Sequence, residues 1–317
     1  MPRVYLTFDV EDTINDPSFH ALQIVLELLK MANLKGLFFI TGAMGSKLID
    51  SKDIVSMLAE HEIGYHSSSH SVRPAIFEYT DVPDYQEAIQ VSLEREASRI
   101  NPLTGRIEGR GGLCSLRELF PDKKILSFRS PGFCWSPPHL EALKKLGIRY
   151  DFSTNLSLKK ITFNGITFYP FPWMMVPPEG GRPLASSAQR YLFRHILSNR
   201  MTVFGMHPQS LVNAEPWDSI YFHGNPVSLT RVKQKTREEV RKCILDFARF
   251  LMELSFLHKM GIIDVSTLLE LTNQHLQLSE NVISNSYHTA MDWPIRFFDY
   301  HPKFLRLHFS KFFGYNS

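Results

Sequence analysis

Apolar residues along this chain recur with two periods, and the alternation between those periods is the first thing it discloses. Leu22, Val25, Leu26 and Leu29 fall at helical spacing across residues 18–34. Gly36 then ends that element, and Leu37-Phe38-Phe39-Ile40-Thr41 forms the unbroken apolar run of a strand buried on both faces. A second helix is predicted over residues 51–60 from Ile54, Val55 and Leu58, followed by a short strand at 63–65. Helical spacing returns over 85–100 with Ala88, Val91 and Ile100, while the Gly- and Arg-rich stretch 103–112 reads as an exposed loop. A strand at 125–128, a helix over 138–146 closed by Gly147, and a strand at 148–152 come next. Residues 163–173 alternate weakly, as a hairpin or barrel edge would, and 203–206 read as another strand. Val240, Ile244, Phe247, Leu251 and Leu254 mark one face of a long helix over 236–258. A last strand at 262–264 and a helix capped by Ser266 and running to residue 271 complete the pattern.

Strand and helix in alternation argue for a parallel sheet with helices outside it. No repeat and no linker interrupts the pattern, so residues 1–275 are expected to form one barrel-like α/β domain, with 276–317 as an aromatic and basic extension packed on it. A length of 317 residues suits such a domain, and 44% hydrophobic with 21% charged residues gives it a substantial core. The formal charge of +3 and the lack of a long basic run argue against nucleic acid as a partner. Cys114, Cys134 and Cys243 are odd in number and widely spaced, which fits neither a disulfide framework nor a CxxC zinc site.

Candidate chemistry sits where predicted strands end. Val4-Tyr5-Leu6 runs into Thr7-Phe8-Asp9-Val10-Glu11-Asp12. Side chains alternate along a strand, so Asp9 and Glu11 share a face if the extended form persists that far. Two neighbouring carboxylates repel unless a cation or a shared proton lies between them. His66-Ser67-Ser68-Ser69-His70 follows the strand at 63–65, and one helical turn there would put both imidazoles on one side. Arg129, Asp151 and His207 also fall at or just after strand ends, the face on which α/β barrels assemble their sites. Six other histidines, His20, His61, His139, His195, His258 and His275, sit in or beside predicted helices and read as surface or packing residues.

In this order the motifs TFDVED, HSSSH, RSPGF, DFS and GMHP resemble those of the NodB-homology polysaccharide deacetylases, the fourth family of carbohydrate esterases. The resemblance runs from about Val4 to His207 and implies a distorted (β/α) barrel of about seven parallel strands. It also implies metal-dependent removal of acyl groups from sugars. Carried over by position, Asp9 would be the general base and Arg129 the partner that keeps it ionised. His66 and His70 would hold the metal, and Gly132 would offer its backbone N–H to the oxyanion. His207 would be the general acid, oriented by Asp151. The family's common first motif has adjacent acids, the second of them binding metal, whereas here valine follows Asp9. The variant D-x-E form makes Glu11 the third ligand, with Asp12 as the alternative if a turn starts at Val10. The acid often found near the last histidine is missing from Met206-His207-Pro208.

The expected cofactor is a divalent metal, zinc first, with cobalt, nickel or iron also suited to two imidazoles and a carboxylate. The expected substrate is an N-acylated sugar, glycan or glycolipid carrying acetyl or formyl. A linear or cyclic non-sugar amide is the alternative within the same fold, and a non-catalytic sugar-binding or scaffold protein the alternative of another class. A binding module has no need of both a base and an acid. A non-haem iron oxygenase also uses two histidines and a carboxylate, but its jelly roll of short strands does not match this helix-rich pattern. Trp217, Tyr221 and Phe222, after His207, offer flat faces for sugar rings or anchor their own loop. The early acids leave no room for a signal peptide, so a cytoplasmic location is expected. Residues 293–315 carry Phe297, Phe298, Tyr300, Phe304, Phe309, Phe312 and Phe313 with four Lys or Arg against one acid, Asp299. That division would suit peripheral contact with the inner face of an anionic membrane, while packing on the barrel is the plainer reading.

Overall fold

In a computed structural model of the chain, the residues described are 1–70, 84–101, 106–131, 137–154, 161–163, 165–170, 201–215 and 231–267. The expected hairpin at 163–173 therefore falls only partly within them. The helix after Ser266, Gly132, the aromatic loop after His207, His195, His275 and the whole extension 276–317 lie outside them.

Eleven strands and seven helices are described. β1 (Arg3–Val10), α1 (Asp16–Ala32), β2 (Leu37–Ile40), α2 (Gly42–Leu48), α3 (Lys52–Ala59) and β3 (Glu62–Tyr65) come first. They are followed by α4 (Tyr85–Glu96), β4 (Ser98–Ile100), β5 (Ile107–Arg110), α5 (Gly112–Leu119), β6 (Ser127–Phe128) and α6 (Pro137–Lys145). The remainder are β7 (Tyr150–Thr154), β8 (Ile161–Phe163), β9 (Ile166–Pro170), β10 (Thr202–Met206), α7 (Arg237–Lys259) and β11 (Asp264–Val265).

The main sheet runs β10-β1-β2-β3-β6-β7-β9-β8. All neighbours from β10 to β9 are parallel, which gives seven parallel strands, and β8 closes the row as the antiparallel half of a hairpin with β9. β11 pairs with the start of β1. Among the described residues no pairing joins β10 to β8, so the molecule is an open, distorted (β/α) barrel. β1 is the central strand. From Val4 to Val10 every residue is buried, because neighbours pair on both sides and helices cover the outer face. Phe8 stacks on Phe38 of β2 with ring centroids 4.7 Å apart and meets Phe247 of α7 edge-on at 6.3 Å. α7 thus packs its apolar stripe against the barrel, and its N-terminus is fixed by a capping box between Thr236 and Glu239. Among the described residues no helix is long and apolar enough to cross a membrane.

Two predicted elements differ. The helix expected over 85–100 stops at Glu96, and residues 98–100 pair antiparallel with 107–110, part of the stretch read as an exposed loop. Gly111 and Gly112 serve close approach rather than looseness. A Cβ on Gly112, whose φ is +55°, would lie 2.3 Å from the Glu96 carbonyl oxygen, and one on Gly111 would lie 2.4 Å from the Arg99 nitrogen. Residues 66–70, expected as a helical turn, are instead an irregular segment in which Ser67 (φ 64°) and His70 (φ 54°) adopt left-handed conformations.

Candidate metal centre

The carboxyl ends of β1, β3, β6 and β10 deliver Asp9, His66, Arg129 and His207 to one end of the barrel. Extended backbone persists through Val10, so Asp9 and Glu11 emerge on the same side. His207 Nε2 lies 3.3 Å from Glu11 Oε1 and 3.7 Å from Asp9 Oδ2. Asp12 turns the other way. Its Oδ1 accepts from the backbone N–H groups of Ile14 and Asn15, and its Oδ2 accepts from Ser18 Oγ at 2.5 Å and Asn213 Nδ2 at 3.1 Å. This third acid ties the end of β1 to the start of α1 and to the turn after β10.

The left-handed backbone of the HSSSH segment does what a helical turn was expected to do. The Ser67 and Ser68 carbonyls accept from Gly42 N at 2.9 Å and Ala43 N at 2.8 Å, docking the segment on the N-terminus of α2. Ser67 Oγ accepts from His70 N at 3.2 Å, and Ser68 Oγ donates to the Ser98 carbonyl. Gly42 is the contact point, since a Cβ there would lie 2.5 Å from Gly112 Cα and 2.9 Å from the Ser68 oxygen. The segment so held brings the two imidazole rings to a centroid separation of 4.9 Å. His66 Nε2 and His70 Nε2 stand 2.9 Å and 2.8 Å from the same oxygen, Glu11 Oε2.

This donor set fits a cation. His66 Nδ1 is 2.6 Å from the Arg129 carbonyl oxygen, which can only accept, so Nδ1 carries a proton. In the neutral ring Nε2 then presents a lone pair to a carboxylate oxygen 2.9 Å away, and two acceptors at that distance need a positive centre between them. Glu11, His66 and His70 form one group of convergent ligand atoms, and Asp9, Glu11 and His207 a second that shares Glu11. Burial pushes the Glu11 carboxyl up, but the imidazoles of His207, His70 and His66 gathered around it outweigh that and hold it well below the usual carboxylate range.

Beneath this group lies Arg129, fully buried. Its Nη1 donates to Asp9 Oδ1 at 2.7 Å, Nη2 to Thr7 Oγ1 at 2.8 Å and Nε to the Phe152 carbonyl at 3.2 Å, and its guanidinium lies 4.5 Å from the centre of the Phe39 ring. Burial lowers its pKa from the ordinary value, and Asp9 works in the opposite direction. Asp151 is the second residue of β7, level with Phe128 of β6, rather than at a strand's end. It accepts from Ser153 N at 2.7 Å and Ser153 Oγ at 3.1 Å, and His207 is not among its hydrogen-bond partners. Burial pushes its carboxyl up to about 7, against the pull of the Ser153 hydrogen bonds and Arg129. His207 therefore meets Asp9 and Glu11 rather than the acid expected to orient it.

Two contributors escaped the sequence reading. Thr7, a residue before the acids, receives Arg129 while its hydroxyl donates to the Phe204 carbonyl at 2.6 Å. Gln209 donates from Nε2 to Glu11 Oε1 at 3.1 Å. The sequence signal was membership of the first motif for Thr7 and adjacency to the last motif for Gln209.

No protein-family model matches the sequence, and no curated protein matches it. The structure is similar to that of a protein from Mycobacterium smegmatis designated a polysaccharide deacetylase, with a TM-score of 0.55 and 15% identity over 86% of this chain and 89% of the other. Also similar are Bacillus subtilis PdaA, described as a family 4 carbohydrate esterase (TM-score 0.42, 17% identity, 87% of this chain and 82% of that one), and a family 4 pseudoenzyme from Bacillus anthracis (TM-score 0.44, 13% identity, 85% and 65%). The Mycobacterium smegmatis likeness establishes the fold as that of a NodB-like polysaccharide deacetylase.

Proposed function

We propose that this chain is a metal-dependent hydrolase that removes an N-acyl group, acetyl or formyl, from a sugar or glycoconjugate. The observation that carries the reading is the meeting, at one end of a deacetylase-type barrel, of two histidines on one carboxylate oxygen (His66, His70 and Glu11) beside a second carboxylate clamped by a buried arginine. Glu11, His66 and His70 would hold the metal, and a nitrogen-rich set with one oxygen suits zinc, with cobalt, nickel or iron as other occupants. When bound, the metal supplies the Lewis acidity that an unreactive amide carbonyl and a neutral water both require.

The chain's own groups account for the protons. Arg129 holds Asp9 through Oδ1, which leaves Oδ2 to take a proton from the attacking water. Because Arg129 is itself fixed by Thr7 and the Phe152 carbonyl, Asp9 has little freedom to turn away. His207, whose side chain is 23% exposed where Asp9 and Glu11 are almost fully covered, is the member a substrate can reach. As imidazolium it would deliver a proton from Nε2 to the departing amine nitrogen, which cannot leave as an anion. The oxyanion donor expected at Gly132 completes this reading.

The test is hydrolysis of a panel of N-acetylated and N-formylated amino sugars, free, nucleotide-linked and lipid-linked, alongside linear and cyclic non-sugar amides. Metal-stripped and metal-reconstituted protein should be compared. Release of acetate or formate from a sugar only after reconstitution is expected. Turnover confined to the non-sugar amides, or equal turnover without metal, would overturn the reading.

A further inference from the structure

The two oxygens of Glu11 have different company, and the difference comes from a residue that no motif includes. Oε2 faces His66 Nε2 and His70 Nε2 at 2.9 Å and 2.8 Å. Oε1 faces the opposite side, where Gln209 Nε2 donates to it at 3.1 Å and His207 Nε2 lies at 3.3 Å. An ionised carboxylate only accepts, so Gln209 must present its NH2 group and not its carbonyl. Gln209 is itself only 5% exposed and sits in the short 3-10 turn Pro208–Leu211 directly after His207. That turn is held from below. Asn213 N donates to the Gln209 carbonyl at 2.8 Å, Asn213 Nδ2 donates to Asp12 Oδ2 at 3.1 Å, and Gln234 Nε2 donates to Asn213 Oδ1 at 2.9 Å. The amide of Gln209 is thus aimed by a chain of hydrogen bonds anchored on Asp12, the acid that the metal group does not use.

We infer that Gln209 is a positioning residue that occupies Glu11 Oε1 and so restricts Glu11 to a single-oxygen ligand through Oε2, an inference that rests on the metal-site reading above. Left alone, a carboxylate can rotate to bind a metal through both oxygens, which fills coordination positions needed by water and substrate. A hydrogen bond on the far oxygen prevents that rotation and fixes the near one. It also leaves His207 beside Oε1, outside the ligand set and available to a substrate.

The experiment uses cobalt(II) as probe with metal-stripped full-length protein, wild type and Gln209→Met, the latter matching the side chain's length without its amide. Gln209→Ala serves as a second variant in case methionine packs poorly. Affinity is read by competition with a chelator and coordination by the visible cobalt spectrum. Wild type should bind one cobalt with the intense bands of a four- or five-coordinate ion. The variants should bind roughly tenfold or more weakly, with weaker bands as Glu11 becomes bidentate and coordination number rises, while the metal-free proteins melt within a few degrees of wild type. Equal affinity and equal spectra in wild type and variants would overturn the positioning role and leave the metal site standing. Metal-free variants that both fail to fold would assign Gln209 to packing and overturn it as well. A wild type that binds no cobalt would overturn the metal-site reading itself.

Discussion

Two buried clusters in this barrel are built from the same residue types, yet only one fits a metal. Tyr65, Glu96 and His139 form the other, and all three are fully buried. His139 Nε2 lies 2.7 Å from Glu96 Oε1, and the Tyr65 hydroxyl donates to Glu96 Oε2. Here one carboxylate meets one imidazole and one hydroxyl, and each oxygen receives its own donor. At the barrel end, two imidazole nitrogens converge on a single carboxylate oxygen, and a third imidazole stands between two carboxylates. The sheet separates the two. Tyr65 precedes His66 and Phe128 precedes Arg129, and successive side chains face opposite sides. Tyr65 and Phe128 meet α4 and α6 in the outer layer, with Phe128 edge-on to the His139 ring at 5.5 Å. His66 and Arg129 turn toward Glu11 and Asp9. A buried histidine–carboxylate contact is therefore no sign of function in itself. The sign is acceptors facing acceptors, with a way in from solvent.

The sharpest break in the comparison should come from paired substitutions. Replacing His66 and His70 together by alanine should abolish metal binding and lower turnover by about a thousandfold or more, since Lewis-acid assistance is lost outright. Elemental analysis and initial rates check both. Glu96→Ala should do the reverse. It removes the carboxylate on which a buried imidazole and a buried hydroxyl close, which costs about 3 kcal/mol of stability by denaturant unfolding. Metal content below the unfolding transition should stay at the wild-type level.

A smaller effect is expected from the acid that the sequence left open. Asp12→Ala should keep the metal and lose about 1–2 kcal/mol, because it frees the hydrogen-bond donors at the start of α1 and Asn213. Metal loss in Asp12→Ala would move the ligand role from Glu11 to Asp12.

That uncertainty shows what the sequence could and could not convey. The succession of parallel strands along the chain and the placement of Asp9, His66, Arg129 and His207 were legible, because parallel strands read as apolar runs and their ends carry the polar residues. The face on which Asp9 and Glu11 emerge was legible from period two alone. The HSSSH geometry was not. Left-handed φ values at Ser67 and His70 are imposed by docking on α2 and by the close approach of Gly42 and Gly112, residues distant in sequence. Gln209 was hidden for the same reason, since its meaning depends on Glu11, 198 positions away. Asp151 was placed at a strand's end because the strand was expected to stop at Phe152, whereas β7 runs on to Thr154.

Asp151 gives the effect whose sign is most easily checked. Its folded pKa of about 7 lies above the ordinary value of 3.8, so between those limits the folded protein holds a proton that the unfolded chain has lost. Stability from this group is fully present below about pH 4 and is lost as pH rises through 7. Asp151→Asn, which keeps a neutral group on Ser153, should remove that loss. The variant should melt above wild type at pH 8, with the gap closing toward pH 5. A gap that widens on acidification would mean that Asp151 is charged in the fold and balanced by Arg129.

The central claim is a place in space, and anomalous diffraction locates it directly. In crystals loaded with zinc, data collected at the zinc absorption edge should show one dominant peak, about 2.0–2.2 Å from Glu11 Oε2, His66 Nε2 and His70 Nε2. A map with no peak there, or with its peak held by Asp9 and His207 instead, would contradict the account.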